Sequence, residues 1–401
     1  MGANGGAGAL LARTAIVLGV AAGMALAIRD GVATEWGRSD PARAAALAPS
    51  DARLAVQAAR ARVDAGAPAS DPAVRALVRR ALVRDATLPP AVELRALDAE
   101  ASGDKGRAAA LFALSDRISR RSLGTRVWLI QQAVERGDVD GALRDFDIAL
   151  RTSAAAPPIL FPVLASALYD PDLVQPIARL LDRPSDWRAM FLHYAVVERG
   201  APAGVADLVL AVRDRTMVRR AGVDQALIGQ LVAQAAFAQA RRVRDAFQPA
   251  ARAEADALLA DPTFSRPDRS APFGWRLTES GALEAIRGVV GGRPALTYQA
   301  LGGAGGVAAV QLLTLPPGDY RLSIRTAATD RAAIPFWTLT CGEAGGRQLL
   351  QLDQADRPGG EASGEVTVPG GCSGQWLALH LRRADAATQV GAVASVSLVR
   401  R

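Results

Sequence analysis

The chain of 401 residues has one lysine, two histidines and two cysteines, and aromatic residues make up only 5% of it. Each scarcity closes off a class of function. Two histidines, His193 and His380, leave a His-based metal site almost without ligands. Adding Cys341 and Cys372 still leaves too few histidine and cysteine ligands for a zinc site, so no metal or cofactor is expected. The net charge of +7 rests on arginine, Lys105 being the one lysine. That charge is spread thinly: residues 262–401 hold 14 arginines against 11 acidic residues, an excess of +3, and the rest of the chain carries +4. A nucleic-acid partner needs a clustered basic footprint, so none is expected. So much arginine beside so much alanine and glycine reads as a coding bias.

Catalytic signatures are missing too. There is no G-x-S-x-G elbow and no Walker loop. "GAGGVA" at Gly303 mimics a dinucleotide fingerprint, but a Val-rich strand follows it where a helix is required. Carboxylates are scattered singly, with no pair to propose for glycoside cleavage. The expectation is a non-enzyme.

What is present begins at the N-terminus. Thr14 to Ile28 is an uncharged apolar run between Arg13 and Arg29. As a helix it spans roughly 22 Å, short of a hydrocarbon core of about 30 Å. Leu10, Leu11 and Ala12 extend it backwards, and Arg13 can snorkel to the headgroups. An uncleaved signal anchor over residues 10–28 is favoured. A secretory signal peptide cut near Ala25-Leu26-Ala27 is the alternative. Both send the remainder out of the cytoplasm. The expected location is a bacterial inner membrane, single-pass, with the bulk of the chain in the periplasm, or a secreted protein if the signal is cut.

"GDKGRAAALF" from Gly103 returns 34 residues later as "GDVDGALRDF" from Gly137. Small residues recur where helices cross, Ala99 and Ala133, then Ala108 and Ala142. Phe112 and Phe146 follow as gap fillers. Gly-Asp in each turn allows a positive φ and caps the next helix. This stretch, Val92 to Ala154, resembles two tetratricopeptide (TPR-like) units, antiparallel helix pairs stacked as a solenoid. It departs from that pattern where Val92, Arg126, Ala99 and Ala133 replace aromatics and Trp128 is displaced. Flanking segments extend the array to about five or six repeats at that period, with Gln225 to Leu259 as a long closing helical stretch. Pro162 and Pro176 should kink or shorten their helices. Trp187, Phe191 and Tyr194, at helical spacing, read as packing rather than a peptide groove, and His193 as a packed or surface residue.

After residue 262 the period changes. "ALTYQAL", "DYRLSIRTA", "PFWTLTC", "QLLQLD", "EVTVPG", "QWLALHLRR" and "VASVSLVRR" are short runs separated by turn residues. They predict an antiparallel β-sandwich, and residues from about 264 onwards resemble the jelly roll of carbohydrate-binding modules. Cys341 and Cys372 both fall here, and in an exported protein they are expected to pair. Alternation puts Leu377, Leu379 and Leu381 inside, with Trp376, His380 and Arg382 outside. It likewise turns Leu322 and Ile324 in and Arg321 and Arg325 out. An aromatic beside Arg and His donors suits a sugar, so Trp376, His380, Arg382, Arg321 and Arg325 are the glycan-binding candidates. A solvated face, or a face docked on the helices, is the plainer reading.

The expected fold is therefore multidomain, α then β: residues 1–30 a signal anchor or signal peptide, 31–261 a TPR-like helical repeat domain, 262–401 a β-sandwich. The arrangement resembles anchored repeat proteins that accompany bacterial exopolysaccharide or O-antigen assembly. It implies a membrane-tethered scaffold binding protein partners of an envelope assembly machinery through its repeats. The alternative is a glycan-binding protein acting through the sandwich.

Overall fold

The computed structural model describes residues 24, 29, 31–198, 203–247, 257–266, 271–329, 334–343, 346–383 and 387–401. Apart from Met24, the expected membrane segment 10–28 lies outside them. Among the described residues no helix is long and apolar enough to cross a membrane. The chain divides into two compact units, Met1–Pro162 and Val163–Arg401.

The first unit is helical: α1 (Pro41–Leu47), α2 (Ala52–Asp64), α3 (Pro72–Arg84), α4 (Pro89–Ala101), α5 (Lys105–Ile118), α6 (Leu123–Glu135) and α7 (Val139–Thr152), with α8 (Pro157–Ser166) running across its end. The helices pack as hairpins, α2 with α3, α4 with α5 and α6 with α7. The turn chemistry explains why. Gly103 and Gly137 adopt φ of +79° and +69°, a region closed to most residues with a Cβ. The amides of Asp104 and Asp138 reach back to the carbonyls of Ala99 and Ala133, closing the first helix of each pair. The same aspartates cap the next helix, accepting from the amides of Arg107 and Gly141, and each cap is worth about 1 kcal/mol.

Ala99, Ala108, Ala133 and Ala142 are buried where the helices cross, as are Phe112 and Phe146 between them. Trp128, displaced in sequence, stacks on Phe112 with ring centroids 4.4 Å apart. Arg126, on α6, is the residue expected to stand in place of an aromatic. It is buried and held by Asp116 and Asp145, so an ion-paired trio takes the place of an apolar contact.

The second unit opens with shorter helices, α9 (Pro171–Leu181), α10 (Trp187–His193), α11 (Ala203–Ala211), α12 (Arg215–Arg220), α13 (Asp224–Ala233) and α14 (Phe237–Phe247). The helices holding Pro162 and Pro176 run 10 and 11 residues, against 13 or 14 for α2 to α7. Trp187 and Phe191 are buried in edge-to-face contact and His193 is exposed. The single helical stretch expected from Gln225 is in fact two helices. Ala235 adopts a φ of +57°, and the amide of Ala236 returns to the carbonyl of Leu231, turning the chain after α13.

Eleven strands follow among the described residues: β1 (Arg276–Leu277), β2 (Glu279–Ser280), β3 (Leu283–Val290), β4 (Arg293–Ala300), β5 (Gly306–Leu313), β6 (Gly318–Thr329), β7 (Phe336–Cys341), β8 (Gln348–Asp353), β9 (Glu361–Val368), β10 (Gln375–Leu381) and β11 (Gln389–Arg400). They form two antiparallel sheets, ordered β1-β5-β10-β7-β8 and β2-β3-β4-β11-β6-β9. The core between them holds Trp275, Trp337, Tyr320, Leu322, Ile324, Leu377 and Leu379. The inward halves of "YRLSI" and "QWLALHL" are therefore as alternation predicts. Cys341, ending β7, is disulfide-bonded to Cys372 in the turn before β10, with Cα atoms 5.5 Å apart.

Helix α14 packs on one end of the first sheet. A Cβ at Gly374 or Gly342 would collide with the Phe237 ring. Arg241 donates to the Thr314 hydroxyl at 2.5 Å, and the Arg244 guanidinium lies 4.6 Å from the Phe273 ring centre.

Candidate functional site

The outward face of the first sheet is built by three neighbouring strands. Register sets Trp376 opposite Thr340, Ala378 opposite Thr338 and His380 opposite Phe336 across β10 and β7. Phe336 and Thr338 in turn face Asp353 and Gln351 on β8. Since Trp337 and Leu339 point into the core, Phe336, Thr338 and Thr340 must point out.

Polar and aromatic contacts lock this face. The His380 and Phe336 rings stack at 4.8 Å and 9°. The Arg382 guanidinium lies 4.6 Å from the same Phe336 ring. Arg382 also donates to the Ile334 carbonyl at 3.0 Å and to the Asp353 carboxylate at 2.5 Å. His380 Nε2 and the Thr338 hydroxyl are 2.9 Å apart. Burial pushes the His380 imidazole below its ordinary pKa, so it stays neutral at pH 7 and offers a hydrogen bond rather than a charge. The Arg382–Asp353 pair is exposed at the rim, where such pairs contribute about 0–1 kcal/mol. Its value is to fix where the guanidinium lies.

The structure thus brings Trp376, His380 and Arg382 onto one face. Trp376 is half-buried toward the end where Phe237 covers Gly374, and His380 and Arg382 occupy the other end. Arg321 and Arg325 are elsewhere. They stand on β6, in the second sheet, and pair across the strand with Glu365 and Glu361 at 3.1 and 3.3 Å. Arg401 joins Glu365 at 2.6 Å. These are solvated cross-strand ion pairs on the opposite side of the sandwich. Phe336, Thr338 and Asp353 complete the first face and were not among the sequence candidates. The signal for Phe336 lay in "PFWTLTC": a register that buries Trp337 exposes its neighbour.

Two concavities lie elsewhere. A groove of about 390 Å³ on the second sheet is lined by Glu284, Ile286, Thr297, Gln299 and Val390. In the helical unit a groove of about 530 Å³ is lined by Arg53, Val56, Gln57, Arg60, Asp64 and Leu88.

No protein-family model and no curated protein matches the sequence. Among solved structures, the chain is similar to the carbohydrate-binding module TmCBM61 in complex with β-1,4-galactotriose, with 15% identity, TM-score 0.27, covering 36% of this chain and 98% of that one. A second, Family 16 Carbohydrate Binding Module-2, matches at 17% identity and TM-score 0.26 over 36% of this chain and 99% of that one. A third, a CBM4 structure, matches at 17% identity and TM-score 0.26 over 32% and 96%. With TM-scores this low, the functional reading rests on the chain's own residues.

Proposed function

We propose that the protein is a non-enzymatic glycan-binding protein, with the outward face of the first sheet as its binding surface. One observation carries the reading: Trp376, His380 and Phe336 stand on a single outward face, with Thr340, Gln351 and the Arg382–Asp353 pair around them. The Trp376 ring can stack on the apolar face of a pyranose, Phe336 and His380, stacked on each other beneath Arg382, fix the far end of the face, and the surrounding amide, hydroxyl and guanidinium groups bond sugar hydroxyls. The face is fixed before any ligand arrives, which lowers the ordering cost of binding.

Affinity electrophoresis of the full chain through gels cast with candidate polysaccharides tests this. Retardation is expected for the wild type. Trp376→Ala should weaken binding by about 1–3 kcal/mol, the value of one stacked ring on a planar ligand. Mobility that ignores every polysaccharide, or retardation untouched by Trp376→Ala, overturns the reading.

A second reading makes the helices a scaffold for a protein partner. Its support is the TPR-like pairing of α4 with α5 and α6 with α7 at a 34-residue interval, beside the groove lined by Arg53 and Gln57. The two readings combine in a tethered receptor of the cell envelope, anchored through residues 10–28 and serving polysaccharide assembly or export. The apolar run and the disulfide both favour an exported chain.

A further inference from the structure

Counting histidines and cysteines leaves this chain short of ligands for a metal, but the fold adds a carboxylate to the count. Glu343 follows Cys341 by two residues, and the turn before β10 brings Cys372 against both. The two sulfurs and one Glu343 carboxylate oxygen all lie within 4.8 Å of one another. Glu343 is fixed in place: its Oε1 accepts from the Ser373 amide at 2.5 Å and the Ser373 hydroxyl at 2.8 Å. Its Oε2 is buried and accepts nothing from the described residues. The Ser373 donors and the nearby Glu343 and Gly374 amides favour the charged form of this carboxylate, and a cation is a natural partner for the oxygen that lacks a hydrogen bond of its own. Gln375 steadies the Cys372 side, donating from Nε2 to the Cys372 carbonyl at 2.6 Å.

We propose that Cys341, Cys372 and Glu343 form a zinc site that is closed while the disulfide stands and opens when it is reduced. A tetrahedral zinc sits about 2.3 Å from each sulfur and about 2.1 Å from a carboxylate oxygen, so its ligand atoms stand about 3.5–3.8 Å apart. In the oxidised chain the sulfurs are at bonding distance and all three atoms lie within 4.8 Å of one another, so the sulfurs must part once freed to reach that spacing. The Cα separation of 5.5 Å lets them part by side-chain rotation alone. The reductant is a dithiol. It delivers two electrons to the S–S bond and becomes a disulfide itself, and each cysteine sulfur takes up a proton. Zinc then displaces both protons and holds two thiolates and one carboxylate. Ser373 beside the cluster is exposed, so a fourth position would be open to water.

The test uses the full chain, reduced with a dithiol, freed of that reagent and of metal under argon, and titrated with cobalt(II) as the spectroscopic probe. A thiolate-to-cobalt charge-transfer band with tetrahedral visible bands is expected at one ion per chain, bleached by zinc. Zinc should also raise the melting temperature of the reduced chain. The oxidised chain and a Cys341→Ser/Cys372→Ser variant should show neither effect. Glu343→Gln should weaken cobalt binding at least about tenfold, and Glu343→Asp should restore part of it. Were Glu343 only a fastener for Ser373, Glu343→Gln would leave the affinity unchanged, and that result overturns the proposal. So does a reduced wild type with no charge-transfer band, or one whose melting ignores zinc.

Discussion

At the scale of single residues, His380 couples the candidate face to pH. Burial lowers its folded-state pKa below the ordinary value of 6.5, so the unfolded chain binds the proton more readily. The stabilisation from keeping His380 neutral is fully present above that value and is lost as pH falls through the window beneath it. The second unit should therefore lose stability from neutral toward mildly acidic pH, and His380→Gln should flatten that part of the profile. Denaturant midpoints measured across this window check it; an unchanged slope in His380→Gln contradicts it. The grouping of Trp376, His380 and Arg382 was legible because strand alternation needs no partner. The separation of Arg321 and Arg325 was not, because alternation says in or out but never which sheet. Nor could the sequence show that Arg382 is engaged by Asp353, a pairing made by β8 lying beside β7.

At the scale of elements, the hairpins of the helical unit were readable because turn chemistry is local. Gly103-Asp104 and Gly137-Asp138 announce a left-handed turn and a cap within two residues. Gly137→Ala should destabilise that unit by about 1–2 kcal/mol, the cost of a Cβ in the left-handed region. Phe112→Ala, which empties a buried site against Trp128, should cost about 3–5 kcal/mol. Urea unfolding followed by far-UV circular dichroism measures both, and near-zero effects would contradict the packing described. The break at Ala235 was hidden because alanine at positive φ leaves no mark in a helical pattern. In the sandwich, β3 was missed because "LEAIRGVV" alternates poorly, with Gly288 turned toward Thr297. The disulfide closes a loop 31 residues long, and Cys341→Ala should lower sandwich stability by about 3–4 kcal/mol in the chain-entropy model. Calorimetry with a melting transition unmoved by that change would contradict it.

At the scale of the whole molecule, the excess of arginine predicts less electrostatics than its number implies. On the candidate face Arg382 is matched by Asp353, and His380 is neutral. Binding to an uncharged polysaccharide should therefore hold nearly constant as salt is raised, since no counterion release drives it. A steep salt dependence with a neutral glycan would place binding on an unpaired basic surface instead. The central claim is that sugar lands on Trp376 and His380. Nuclear magnetic resonance of the full chain, labelled at tryptophan and histidine, tests it most directly during titration with a polysaccharide that retards it. Shifts in the Trp376 indole and His380 imidazole signals, with the core signals of Trp275 and Trp337 unmoved, are the predicted result. Saturable binding that leaves Trp376 and His380 unshifted would contradict the account.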